Sequence, residues 1–165
     1  GIAFIRKNNI KEAKEELEAL RLMKNDPELE TVLANYTNPS SSIAQIAHGV
    51  VSGELASAIG NIPAAVQHLK RAVLYEDQLI YSEPTAWHIP VRQTLGAVLL
   101  KAHKYKEAEE VYKADLEILR QNGWSLMGLY KSLIGQGKIE EAKKIEQEYN
   151  DAWKHADIPL KTSVL

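Results

Sequence analysis

Four short segments of this chain repeat one pattern, a bulky apolar residue, two variable positions and an alanine. They are Ile10-Lys11-Glu12-Ala13, Ile62-Pro63-Ala64-Ala65, Tyr105-Lys106-Glu107-Ala108 and Ile139-Glu140-Glu141-Ala142. Each follows a pair of residues that reads as a helix break: Asn8-Asn9, Gly60-Asn61, His103-Lys104 and Gly137-Lys138. Tight interhelical turns often need positive φ, which glycine and asparagine tolerate best. Four residues past the alanines stand Leu17, Leu69, Tyr112 and Glu146, and seven past them Leu20, Ala72, Asp115 and Tyr149. This spacing makes one stripe on a helix, and the alanine lets a neighbouring helix come close. Upstream of the breaks lie further stripes, among them Ile46 to Ala56, Leu95-Gly96-Leu99 and Leu126-Leu129-Tyr130-Leu133. The unit is a helix, a short turn and a helix, so the expected fold class is all-α.

The alanines are 52, 43 and 34 residues apart, and the last interval equals the tetratricopeptide period. In a frame of that length Gly53 and Gly96 take the small position of the first helix, Gly60 and Gly137 the turn, and the alanines the small position of the second helix. On these residues the chain resembles tetratricopeptide repeat (TPR) proteins from Ile2 to about Trp153. Tyr130, Asp115 and Tyr149 depart from the small residues usual at their positions. The resemblance implies antiparallel helix-turn-helix repeats stacked as an α-solenoid in a single array over 1–165. Its parts are a partial unit (1–27), a unit with a long connection (28–79), an insert (80–88), a unit (89–122), a unit with a cap (123–156) and an irregular tail (157–165). Helices are expected at 2–7, 10–23, 27–35, 38–59, 62–80, 90–102, 105–121, 124–135 and 139–155. Asn38-Pro39 reads as N-cap and N1, and Gly123 after Asn122 as a helix stop.

Terminal faces of a stacked array must be polar or covered. Glu140, Glu141, Lys143, Lys144, Glu146 and Glu148 give the last helix a solvated outer face. Ile2, Ala3, Phe4 and Ile5 do not do so for the first. The expectation is therefore that further repeats precede this chain in a longer, bacterial-type TPR protein, or that a second copy covers Ile2, Phe4 and Ile5.

Composition limits the chemistry. Twenty Lys and Arg against 22 Asp and Glu leave a charge of −2, so no global basic field draws the chain to nucleic acid or anionic lipid. No apolar run approaches the ~20 residues of a membrane span. Without cysteine there are no disulfides, thiolate metal sites or Cys nucleophiles. Gly135-Gln136-Gly137-Lys138 resembles the end of a P-loop, but Ser132 and Ile139 stand where Gly and Ser/Thr belong. The five histidines (48, 68, 88, 103, 155) show no i, i+4 pairing, and a lone helical His reads as structural or solvent-facing. The acidic pairs Glu15-Glu16, Glu109-Glu110 and Glu140-Glu141 read as solvated faces beside lysines. No catalytic residue, metal or cofactor is called for.

Two surfaces are candidates for recognition. Residues 80–90 carry Tyr81, Glu83, Trp87 and His88, are held out of helix by Pro84 and Pro90, and lead to Arg92. A long aromatic connection on a rigid scaffold either bears a recognition element, such as a small-molecule or regulatory site serving an upstream enzyme domain, or plugs a packing gap. The TPR resemblance separately implies a groove lined by the first helices. It would turn Val50, Glu54, Ser57, Gln93, Ala97, Lys101, Met127, Lys131 and Ile134 inward, with Trp124 at its edge. Gln93, Lys101, Trp124, Met127 and Lys131 are the candidate partner-binding residues. The expected function is a non-catalytic scaffold binding a protein or peptide, without nucleic acid or membrane; a self-associating spacer is the third reading.

Overall fold

A computed structural model describes residues 1–34 and 36–164. It divides into two compact units, Gly1–Val91 and Arg92–Leu165. The first contains α1 (Ile2–Arg6), α2 (Ile10–Met23), a 3₁₀ turn (Pro27–Glu30), the two-residue strands β1 (Leu33–Ala34) and β2 (Asn38–Pro39), α3 (Ser40–Ala58) and α4 (Ile62–Asp77). The strands pair antiparallel, Leu33 with Pro39 and Ala34 with Asn38. The second unit contains α5 (Val91–Lys101, its first residue closing the first unit), α6 (Tyr105–Ile118), α7 (Gly123–Gly135) and α8 (Ile139–Trp153). Among the described residues the regular structure is helical apart from that short hairpin. Among the described residues no helix is long and apolar enough to cross a membrane.

The four helix breaks share one geometry. Asn8, Gly60, His103 and Gly137 have φ of 59°, 84°, 57° and 73°, and each stands two residues before the next helix begins. The residue after each donates its N–H back to the carbonyl five positions earlier: Asn9 to Phe4, Asn61 to Ala56, Lys104 to Leu99 and Lys138 to Leu133, at 2.8–3.0 Å. The middle N–H bonds three back, as Gly60 does to Ser57. These paired bonds satisfy carbonyls that a helix end would leave open. The repeat is thus one conformation written four times, although only two of its turn residues are glycine.

Packing follows the alanines. Ala13, Ala65, Ala108 and Ala142 are all fully buried. In the first unit Ile5, Ala13, Val51 and Leu55 form a cluster against which Phe4, Ile10, Leu17 and Leu20 pack. Ile5 and, in part, Phe4 are therefore covered within their own unit, and Ile2 keeps the more open position at 40% exposure. Small residues also set the approach of α3 to α4: a Cβ on Gly53 would lie 2.5 Å from Leu69, and one on Gly49 2.8 Å from the Ala72 Cβ. The outer face of α8 is exposed as expected.

Several local expectations are corrected. Asn38 is not an N-cap: α3 begins at Ser40 behind Pro39. The Asn38 side chain instead accepts from the Ile80 N–H (2.7 Å) and donates to the Ile80 carbonyl (2.9 Å), tying β2 to the insert. The expected helix over 27–35 is a single 3₁₀ turn capped by Asp26, which accepts from the Glu28 N–H, and then a strand; Asn35 lies outside the described residues. Gly123 does not stop a helix. It opens α7, because Asn122 accepts from the N–H groups of Trp124 and Ser125 and so serves as the N-cap. Helices α4 and α6 end at Asp77 and Ile118, a few residues early.

Candidate peptide-binding face

Tyr112 organises the second unit. Its side chain leaves α6 fully buried and passes between α5 and α7. Gly96 and Gly128 make room for it: a Cβ on either would fall 2.3 or 2.2 Å from the ring. The phenol hydroxyl emerges to bond the hydroxyl of Ser163, in the segment after α8. Burial raises the Tyr112 phenol well above its ordinary range, so the group stays a neutral hydrogen-bonding partner.

That segment lies on the unit as an irregular, bent chain, neither helix nor strand. Leu160 packs with Leu126, Met127 and Tyr149, and Trp124, Tyr130, Ile145 and Trp153 flank the cluster. The Leu160 N–H donates to the Tyr149 hydroxyl (3.0 Å), and the Trp153 indole N–H donates to the Ile158 carbonyl (2.7 Å). The Lys131 ammonium donates to the Lys161 carbonyl. Edge-on contact between Trp124 and Trp153, with ring centroids 5.9 Å apart, closes one end. One apolar anchor, one buried hydroxyl and three bonds to main-chain groups therefore hold the segment. Such bonds hold backbone groups with little regard to the side chains between them.

Met127, Lys131 and Trp124, named from the sequence, gather around this segment. Gln93 does not: it is buried, and its amide lies 3.4 Å from the Asp115 carboxylate. Asp115 also accepts from the Ser125 hydroxyl. Burial raises its carboxyl above the usual range, and Ser125, Gln93 and the Arg92 charge offset this only in part. Lys101 is exposed at the end of α5. Val50 and Ser57 are core residues rather than groove-lining ones, and Glu54 pairs with Arg6 at 3.1 Å. Ala97 is half-buried and Ile134 exposed.

In the insert, Tyr81 and Glu83 hydrogen-bond to each other and are exposed, so Tyr81 plugs no gap. The Glu83–Pro84 peptide is cis. Trp87 is half-buried, and its indole nitrogen has no hydrogen-bond partner among the described residues. His88 is exposed, while Arg92 belongs to the second unit. Among the described residues no group of acidic or imidazole side chains could hold a metal.

Glu109 corrects another expectation. It is buried rather than solvated, and it accepts from Lys113, from Lys138 (2.7 Å) and from the Gln136 amide (2.7 Å). Burial works against its charge, but these three bonds outweigh it and hold the carboxyl at about 2. Its depressed value means that this stabilisation is present above the ordinary carboxyl range and disappears as pH falls toward 2. The i, i+4 lysine was visible in the sequence; Lys138, from the next hairpin, was not.

Comparison with protein-family models, with curated proteins and with solved structures finds no significant match.

Proposed function

We propose that the chain is a TPR-like, non-catalytic scaffold whose second unit binds a peptide segment across α7 and α8, and that residues 157–164 occupy this face as an internal ligand. One observation carries the reading: the segment is held through its backbone by Lys131, Tyr149 and Trp153 and through a single apolar anchor, Leu160. Four identical Schellman turns and four buried alanines support the TPR-like frame. In that frame α5 and α7 are the first helices, which line the groove of such arrays. A partner peptide would carry a leucine-sized residue, with a carbonyl one position later for Lys131.

The test uses the full chain with Leu160→Asp, which removes the internal anchor by placing a charge among apolar groups. A synthetic peptide of residues 157–164 should bind this variant in trans, and bind the unaltered chain at least tenfold more weakly because its own segment competes. Adding Lys131→Ala should weaken the trans complex. Equal affinity for the variant and the unaltered chain, or no binding to either, rejects the reading.

A further inference from the structure

The first unit holds a cleft of about 90 Å³ between the end of α2 and the hairpin of α3 and α4. Its polar lining is Lys24, Gln45, His48, His68, Arg71 and Tyr75, with no carboxylate among them. This is unusual in a chain with more acidic than basic residues. Outside the cleft several cations are paired, as Arg21 is with Glu18, Lys104 with Glu107 and Lys143 with Glu140. No carboxylate pairs with Lys24 or Arg71 among the described residues. Arg71 is instead steadied by Tyr75, whose hydroxyl accepts from its guanidinium (3.3 Å) while the ring lies beneath it, 5.9 Å from centroid to carbon.

We propose that this cleft is a subsite for a phosphoryl group. The lysine comes from the C-cap of α2 and the arginine from α4, the imidazoles come from α3 and α4, and an amide and a phenol complete the donor set. Donors arriving from several sides suit a tetrahedral dianion with oxygens in all directions, whereas a planar carboxylate is met fully by one guanidinium fork. The volume admits a group of a few heavy atoms and not a folded partner. Gly49 forms its floor, where close contact with Ala72 leaves no room for a side chain. The charged groups facing His48 are Lys24 and Arg21 of α2 and His68 and Arg71 of α4; burial first, then these cations, lower its affinity for a proton. A bound dianion reverses that field, so His48 takes up a proton on binding.

The experiment is titration of the intact chain with inorganic phosphate at constant ionic strength, read at the histidine ring protons by NMR. His48 and His68 should shift together and saturably in the millimolar range, and the His48 titration midpoint should rise. Arg71→Gln and Lys24→Gln should each weaken binding about tenfold, in line with loss of one charge-assisted bond. Arg120→Gln, in the second unit, should leave it unchanged. Both altered lysine and arginine side chains are partly or fully exposed, and unchanged circular dichroism establishes that the variants fold. Absence of a saturable shift, equal affinity in Arg71→Gln, or acetate binding as tightly as phosphate overturns the proposal. Phosphoserine in a short peptide compared with glycerol phosphate then separates the two sources: tighter peptide binding assigns the phosphoryl group to a modified protein, and tighter ester binding assigns it to a small metabolite.

Discussion

Replacing Tyr112 with alanine should destabilise the second unit by about 3–5 kcal/mol, the range for removing a large aromatic side chain from a packed core. The side chain is fully buried and spans the unit from α6 to the Ser163 hydroxyl, so its loss empties the space that Gly96 and Gly128 keep open. Gly128→Ala isolates the geometry. Helix propensity alone would stabilise this change by about 1 kcal/mol, but the added Cβ would lie 2.2 Å from a ring confined on both sides. Overpacking costs about 1–3 kcal/mol, and a net loss is expected. Joining Gly128→Ala to Tyr112→Leu should recover part of that loss, because leucine vacates the ring's position; urea unfolding of the two single variants and the double variant gives the coupling directly. Additive losses would mean that the glycine and the ring do not meet.

The second large effect concerns the alanine contacts. Ala65→Leu and Ala108→Leu each place three further carbons where nothing is exposed, and each should cost about 1–3 kcal/mol. Exposed Glu141→Gln should change stability by less than ~0.5 kcal/mol. Unfolding midpoints separate the two classes, and coincident midpoints would show that the alanines are not the points of helix contact.

What the sequence revealed was whatever depends on neighbours along the chain. The turns at Asn8, Gly60, His103 and Gly137 were legible because positive φ and the following helix start are local, and the alanine stripe because helical spacing is periodic. Asn122-Gly123 was misread because the pair serves equally to end one helix and to cap the next; the cap prevailed once Asn122 met the Trp124 and Ser125 amides. Asn38 was misread because its partner, Ile80, is 42 positions away. Glu109 looked solvated for the same reason, since Lys138 stands 29 positions on.

The candidate face was half legible. Lys131, Met127 and Trp124 followed from the resemblance, but an irregular segment without periodicity gave no sign that Leu160 and Ser163 would be buried. Ser163 meets a hydroxyl 51 positions earlier, and only the complete packing of the unit brings the two together. The cleft in the first unit was hidden in another way. His48 and His68 look isolated in sequence, and the α3–α4 hairpin makes them neighbours across Gly49.

Amide hydrogen exchange at Leu160 in the intact chain tests the central claim most directly, since its N–H is bonded to Tyr149 only while the segment lies on the face formed by α7 and α8. The account predicts exchange slowed at least about tenfold relative to an unfolded chain, with protection lost when Leu160→Asp frees the segment. Exchange at the unfolded-chain rate in the unaltered protein would contradict it.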